Sequence, residues 1–159
     1  MRVGDIVIVA DLGEMKVYKA NPRDLEAEAG LKPQNIKLDL VNAVDYVEAH
    51  WKVKDIVTDE AGRFKGPDGT HGGITERHGI EAKMEEDVIR AIAADIDRFV
   101  AEYNPPKYFL ALPRTIFKRV WDHVGPEAQK KLFRYVEEDL TKTSKTKLPE
   151  IFKEKGAHF

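Results

Sequence analysis

Apolar residues along this chain fall into short unbroken runs and one long helical stripe. Residues 5–11 (DIVIVAD) and 108–112 (YFLAL) are continuous apolar runs of strand length. Strands that are buried on both faces have this pattern, as in the centre of an α/β sheet. The two runs therefore predict two central strands.

Further strand patterns follow the first run. Leu12-Gly13 can turn the chain, and Glu14–Ala20 (EMKVYKA) then predicts a second strand that forms a hairpin with the first. A third strand is predicted from Ile36 to about Val47. Its alternation of apolar and polar residues breaks at Val41, which indicates either a β-bulge or a change from strand to helix.

A short helix is predicted between the second and third strands, over Pro22–Ala29. Asn21 has the chemistry of a helix N-cap, and proline is favoured in the first helical position. Gly30 provides a C-terminal stop.

The clearest element is a helix over Ala82–Tyr103. Its apolar residues recur at intervals of three and four, and charged residues occupy the other faces. Pro105-Pro106 end it. The apolar stripe consists of Met84, Val88, Ile89, Ile92, Ile96, Phe99, Val100 and Tyr103.

The last third of the chain alternates between helices and strands. The pattern predicts a helix over Thr115–His123, a helical turn after Gly125-Pro126, a strand over Phe133–Val136 and a helix over Pro149–Lys155. Because helices between strands make right-handed parallel crossovers, this order predicts a mixed sheet of about five strands. Residues 1–159 are expected to form one three-layer α/β domain, with helices on both faces.

Residues 55–81 form the least hydrophobic stretch of the chain and contain six glycines. Connections longer than roughly 12–15 residues are usually functional or disordered. We therefore expect a mobile loop that can approach a ligand closely, with 59–79 as the least ordered internal segment. A disordered insertion without a function is the alternative interpretation.

Composition excludes several classes of function. The net charge of −2 argues against a generally basic protein that coats nucleic acid, but it allows a local basic patch. Cysteine is absent, which excludes disulfides, thiol nucleophiles and cysteine-ligated metals. No apolar run reaches the length of a signal peptide or a membrane span, so we expect a cytoplasmic protein without membrane association.

Asp11 closes the first strand, where α/β folds often place chemistry. Together with Glu85 or Glu86 it is a candidate catalytic carboxylate that could hold a divalent cation. A ribonuclease-H-like nuclease usually takes a further carboxylate from the later strand, and YFLAL contains none. The alternative for Asp11 is a carboxylate that caps the hairpin turn.

Basic residues and glycines of the loop are candidates for partner binding. His71 and His78 flank Gly72-Gly73, but two histidines make no structural zinc site, so we predict neither a metal nor another cofactor. A cationic loop that approaches phosphates fits these residues better. The remaining loop candidates are Arg63, Lys65 and Arg77.

A second group of basic residues lies later in the chain. Arg114 and Lys118 begin a helix whose N-terminal amides favour anions, and Lys142, Lys145 and Lys147 follow the last strand. If these residues converge with the loop, they form one basic rim on an otherwise acidic domain. Isolated surface charges are the alternative. No nucleophile–base pair, phosphate-binding loop or dinucleotide fingerprint is visible, so the sequence does not indicate a conventional enzyme.

Several segments resemble, in order, the bacterial host attachment family, which is named for a protein required for attachment to host cells. They are IVIVADLGEMKVYKA, TDEAGRF, the Gly/His loop with the helix after it, KYFLALPRTIFKRV and VEEDLT. The resemblance covers roughly residues 5–152. The family is similar in turn to the middle domain of archaeal and eukaryotic class-1 peptide-chain release factors, which implies a ribonuclease-H-like sheet.

The release-factor resemblance implies a functional role for the loop. In those factors a Gly-Gly-Gln loop reaches the peptidyl-transferase centre, whereas here Ile74 follows Gly72-Gly73, which argues against peptidyl-tRNA hydrolysis. The resemblance instead implies a binding protein whose partner is RNA or the ribosome. A divalent-metal nuclease, a protein that acts in adhesion through protein contacts, and a homo-oligomer remain alternatives.

Overall fold

A five-stranded mixed sheet forms the centre of the protein. The structure, a computed structural model, describes residues 1–23, 36–47 and 69–159, and for 69–80 it describes the helical backbone. The strands lie in the order β3-β2-β1-β4-β5. They are β1 (Ile6–Ala10), β2 (Glu14–Pro22), β3 (Ile36–Asp45), β4 (Tyr108–Ala111) and β5 (Leu132–Val136).

The parallel half and the antiparallel half of the sheet meet at β1. This strand pairs in parallel with β4, which pairs in parallel with β5. On its other side β1 pairs with β2 in an antiparallel hairpin, and β2 pairs antiparallel with β3. The predicted hairpin is therefore confirmed, as is the placement of both unbroken apolar runs in the same sheet.

Helices cover both faces of the sheet. Those in the described part of the chain are α1 (Gly69–Tyr103), α2 (Arg114–Trp121), α3 (Pro126–Lys131) and α4 (Leu148–Lys155). Ile6 and Ile8 pack in the core beneath α1, whereas Val7 and Val9 pack in a second core with Phe152 of α4. Because alternate residues of a strand point to opposite faces, the continuous apolar run of β1 supplies both cores. The predicted class, a three-layer, ribonuclease-H-like α/β fold, is confirmed.

The interrupted alternation in the third strand corresponds to a β-bulge. Val17 pairs with Asn42 and Tyr18 with Leu40, so Val41 is the extra residue. A bulge reverses the face to which later residues point, which explains why the apolar pattern changes phase there. The strand ends at Asp45, two residues before the predicted boundary.

The prediction that Pro22 begins a helix was wrong. Pro22 is the last residue of β2, where it pairs with Ile36 at the start of β3. The pairing of β2 with β1 already ends at Lys19, so no β1 partner requires an amide proton from the proline. The rest of the predicted helix, 24–29, lies outside the described residues.

The prediction of a loop over residues 55–81 was also wrong in its C-terminal part, because α1 begins at Gly69 and runs for 35 residues. The apolar stripe from Met84 onward is buried and forms a stable helix. Extending an existing helix costs far less than starting one, so the backbone continues N-terminally through Gly72, Gly73 and Gly79. Glycine content alone therefore misplaced the boundary. Residues 55–68 of the predicted loop lie outside the described residues.

Candidate functional site

The carboxyl ends of the three parallel strands meet at one edge of the sheet, which we call the carboxyl edge. Asp11 follows β1, Arg114 begins α2 just after β4, and residues 137–147 follow β5. The amide of Leu112 donates to the carbonyl oxygen of Val136 at 3.2 Å, so the ends of β4 and β5 adjoin. In open α/β sheets this edge is where ligands usually bind.

Asp11 closes the β1–β2 hairpin. Its Oδ1 accepts hydrogen bonds from the amides of Gly13 and Glu14, both at 2.8 Å. A Cβ at position 13 would lie 3.3 Å from the same oxygen and 3.3 Å from Cγ2 of Val47, so a larger residue would crowd this turn. The interpretation of Asp11 as a carboxylate that caps the hairpin is confirmed.

The other oxygen of Asp11 faces a threonine 130 residues later in the chain. Thr141 is fully buried, and its Oγ1 lies 2.6 Å from Oδ1 of Asp139 and 3.2 Å from Oδ2 of Asp11. The amide of Thr141 also donates to Asp139 Oδ1, at 3.0 Å. We call these three residues the clasp.

The clasp contains one hydroxyl proton and two carboxyl groups that could accept it. The shorter contact favours donation from Thr141 to Asp139, and a proton on Asp11 would then be shared with Thr141 Oγ1 or with Asp139. Burial raises the pKa of Asp11, and the neighbouring carboxylate of Asp139 raises it further. Burial raises the pKa of Asp139, but the hydrogen bonds from the hydroxyl and amide of Thr141, a hydrogen bond with Asp11 and the charge of Lys142 together lower it. When the pair of carboxyl groups holds one proton, these opposite shifts place it on Asp11 rather than on Asp139.

Two lysines surround the clasp. Lys16 Nζ donates to the carbonyl oxygen of Thr141 at 2.7 Å, and Lys142 Nζ lies 3.2 Å from the carboxylate of Glu14. An open groove of about 410 Å³ lies between this hairpin and the end of β3, and Asp11, Glu14, Lys16, Val47 and Lys142 contribute to its lining. The groove contains both signs of charge. The side chain of Lys142 is 81% exposed, much more than those of Glu14 and Lys16.

The proposed partners of Asp11 in metal binding are engaged elsewhere. Glu85 and Glu86 lie 3.5 and 3.1 Å from the guanidinium of Arg119, and His123 approaches Glu86 at 3.5 Å. The hydrogen bond from Arg119 lowers the pKa of Glu86. Within the described part of the chain, no group of three His, Cys, Asp or Glu side chains could hold a metal ion. The structure does not bring Asp11 together with either glutamate.

The later basic residues are all exposed and lie after the parallel strands. Arg114 and Lys118 belong to α2, and Lys142, Lys145 and Lys147 belong to the segment that follows β5. Because β4 and β5 are parallel, Arg114 and this lysine segment share the carboxyl edge.

Helix α1 leads back toward the same edge. The hydroxyl of Tyr103 contacts the carbonyl oxygen of Val41 at 3.4 Å, and that of Tyr46, just after β3, donates to Asp95 at 2.6 Å. The helix thus runs antiparallel to β3, and its N-terminal half points toward the carboxyl edge. The backbones of His71, Gly72, Gly73, Arg77 and His78 belong to this helix. Arg63 and Lys65 lie outside the described residues.

Asp139, Thr141 and Lys16 were not predicted as site residues. The first two lie in VEEDLT, a segment that carried the family resemblance but was not assigned a role. The signal that could have found them is topological, because a carboxylate after one parallel strand lies near a carboxylate after another. The sequence argument looked for that second carboxylate after β4, whereas the structure has it after β5.

The described part of the chain contains no helix long and apolar enough to cross a membrane. Comparison with curated proteins and with solved structures gave no match. The profile of one family, described as a protein required for attachment to host cells, matches residues 6–151. This range contains β1 and Asp11 near one end and Asp139 and Thr141 near the other, so it includes the complete clasp. The chain therefore belongs to the family of proteins required for attachment to host cells.

Proposed function

We propose that this host-attachment-family protein acts by binding RNA, with the ribosome as its partner, through a basic surface at the carboxyl edge. The observation that carries the proposal is the attachment of residues 137–147 to the β1–β2 hairpin. Thr141 contacts Asp11, Lys16 contacts the Thr141 carbonyl, and Lys142 contacts Glu14. The clasp thereby holds a segment with three exposed lysines on the same edge as Arg114.

Charge argues for a local and salt-sensitive interaction. The whole chain has a net charge of −2, so it does not attract polyanions in general. Lys142, Lys145 and Lys147 nevertheless place three cations within six residues. Phosphate contacts of this kind release counterions, so binding weakens as salt rises. Because three lysines make only a few phosphate contacts, affinity should fall less steeply with salt concentration than it does for an extensively basic protein.

The resemblance to the middle domain of release factors supports the ribosome as the source of the RNA. In this proposal the N-terminal half of α1, with Gly72-Gly73, contributes to the same surface. The activity is binding without hydrolysis, because Ile74 stands where those factors have glutamine. The attachment of bacteria to host cells would then follow indirectly, through the production of other proteins.

Sedimentation of cell lysate through a gradient at low and high salt tests the proposal. We expect the protein to migrate with ribosomal particles at low salt and to leave them at high salt. Replacing Lys142, Lys145 and Lys147 together with alanine should abolish this association. The matched control replaces three exposed lysines elsewhere, Lys130, Lys153 and Lys155. Equal loss in both variants, or a protein that stays at the top of every gradient, would contradict the proposal.

A divalent-metal nuclease is the second candidate, and one observation favours it. The structure supplies a second carboxylate beside Asp11 at the carboxyl edge, which is the feature that the later strand YFLAL lacks. Purified protein incubated with structured RNA and magnesium or manganese provides the test. Cleavage that disappears in both Asp11→Asn and Asp139→Asn would establish the nuclease. Intact RNA in the presence of bound protein would support the binding function.

A further inference from the structure

The outer edge of β5 is covered by residues 156–159, which we call the edge segment. Tyr135 donates its amide to the carbonyl oxygen of Ala157 at 3.0 Å, and the amide of Ala157 donates back to Tyr135 at 2.9 Å. β5 is the last strand on its side of the sheet, so these backbone groups would otherwise be unpaired. The segment therefore pairs with β5 as a short added strand.

Phe159 stacks on the rings of Tyr135 and Trp121 and meets the ring of Phe117 at a tilt; we call these three rings the aromatic floor. Its ring centroid is 4.4 Å from Tyr135, 5.0 Å from Trp121 and 6.2 Å from Phe117, with interplanar angles of 22°, 9° and 34°. Despite these contacts, 73% of the Phe159 surface is exposed. The ring is therefore supported on one face and open on the other.

The edge segment follows the alternation of a strand. The ring of His158 meets Phe133 edge-on at 5.2 Å, on the side opposite Phe159. Gly156 connects the segment to α4, and a Cβ there would lie 2.2 Å from the Phe152 carbonyl oxygen. Only a glycine allows this close turn. Gly156 therefore lets the chain turn from α4 and run along β5.

The attachment of this segment is shallow. Two backbone hydrogen bonds, the open-faced stack of Phe159, the edge-on contact of His158 with Phe133 and an exposed hydrogen bond from Arg134 Nε to His158 Nε2 at 3.3 Å hold it. Its residues Ala157, His158 and Phe159 are all exposed. Exposed backbone hydrogen bonds and few buried contacts are the properties of parts that open locally while the rest of a domain stays folded.

We infer that the β5 edge and the aromatic floor form a peptide-docking site, which the chain's own edge segment occupies as a displaceable internal ligand. The partner is an extended segment of another protein. One of its residues pairs with the backbone of Tyr135, and an aromatic residue two positions later stacks on the floor. This mode of recognition is strand addition, in which backbone pairing gives affinity and alternate side chains give specificity.

Backbone pairing decides between a peptide and other flat ligands. A nucleobase that stacks on the floor would occupy the position of the Phe159 ring, whereas the two hydrogen bonds to Tyr135 are made by Ala157, two residues earlier on an extended backbone. The seated segment shows that both interactions are made at once. The site lies on the β5 side of the sheet, and it does not depend on RNA binding at the carboxyl edge.

Release of the internal ligand in the full chain provides the test. Ala157→Pro removes the amide that donates a hydrogen bond to the carbonyl oxygen of Tyr135. Phe159→Ala removes the stacked ring, so the double variant frees the site. The probe is a fluorescein-labelled peptide of residues 153–159 (KEKGAHF), measured by fluorescence anisotropy. We expect the double variant to bind it at least about tenfold more tightly than the wild type, in which the attached segment competes at high effective concentration.

Two controls show whether the docking mode is correct. A probe with alanine in place of its final phenylalanine should lose most of the affinity, and so should the double variant that also carries Trp121→Leu. Equal binding of both probes, or no gain in the double variant over the wild type, would overturn the inference. Circular dichroism and thermal unfolding confirm that each variant is folded.

Hydrogen exchange of the unmodified protein gives a readout that requires no variant. The Ala157 amide should exchange at least about tenfold faster than the Leu110 amide in β4, because the segment opens without unfolding the sheet. Equal protection of the two amides would mean that the segment is a fixed part of the fold and would overturn its role as a displaceable ligand.

Discussion

The clasp and the edge segment attach later parts of the chain to the sheet in opposite ways. The clasp holds residues 137–147 through a fully buried hydroxyl between two carboxyl groups. The edge segment holds itself through backbone pairing and an exposed ring. The clasp depends on the protonation of its carboxyl groups. It resists separation because breaking it would remove hydrogen-bond partners from its carboxyl groups. The attachment of the edge segment consists mainly of exposed contacts and opens at little cost. A positioned basic surface needs the first property, and a displaceable ligand needs the second.

Thr141→Val is expected to have the largest effect on this comparison. The substitution preserves shape but removes the hydroxyl that donates to Asp139 at 2.6 Å. Hydrogen bonds to charged groups contribute roughly 1.5–3 kcal/mol, so the free energy of unfolding should fall by about 2 kcal/mol. Urea unfolding measures it. Thr143→Val, two residues away and half-buried, is the control and should change stability by less than about 0.5 kcal/mol.

Tyr108→Phe tests whether the bonding of a buried hydroxyl, rather than its burial, stabilises the fold. Within the described residues, the Tyr108 hydroxyl is buried without a hydrogen-bond partner, in contrast to that of Thr141. An unsatisfied buried polar group costs about 1–3 kcal/mol, so its removal should raise the free energy of unfolding by about 1 kcal/mol. If Tyr108→Phe destabilises the protein as much as Thr141→Val, the distinction between the two hydroxyls fails.

Substitutions of the two aspartates should shift stability with pH in opposite directions. The raised pKa of Asp11 means that its contribution is complete below the unfolded value and is lost as pH rises through the folded pKa. Asp11→Asn cannot ionise, so it should gain stability relative to the wild type as pH rises from 4 to 8. Both groups are partly exposed, which should keep the change below about 1 kcal/mol.

The stability contribution of Asp139 should change with pH in the opposite direction to that of Asp11. Its pKa is lowered, so its contribution is present above the unfolded value and is lost as pH falls through the folded pKa. Asp139→Asn should therefore show its full loss of stability relative to the wild type from about pH 4 upward, and this loss should shrink as pH falls below 4. Thermal unfolding across the pH series compares both variants. Parallel profiles for the two would show that they do not share a proton.

Phe159→Ala should have the smallest effect on stability. Most of this ring is exposed, and aromatic pairs contribute about 0.5–1.5 kcal/mol when well packed. We expect the free energy of unfolding to fall by less than about 1 kcal/mol, with the same difference at pH 4 and pH 8. Chemical denaturation at the two pH values measures it. A large or pH-dependent loss would make the edge segment resemble the clasp.

Predictions from local pattern were confirmed where burial is strongest. The unbroken runs of β1 and β4, the apolar stripe from Met84 to Tyr103 and the phase change at Val41 all correspond to observed elements. The start of α1 and the end of β2 at Pro22 were predicted wrongly. The start of α1 depends on cooperative extension of the helix, and the end of β2 depends on which strands pair with it. Neither can be predicted from glycine or proline content alone.

By itself, the sequence determined the order of the five strands, the helix over the Met84–Tyr103 stripe and the three-layer class, because the period of apolar residues reveals which faces are buried. Only the tertiary structure decided the candidate site. Asp11 was identified, but its interaction with Thr141 spans 130 residues and depends on β1 and β5 lying in parallel with β4 between them. The seat of Phe159 likewise depends on the packing of α2 beside the β5 edge. A local pattern cannot specify such contacts, because strand order and register bring these residues together.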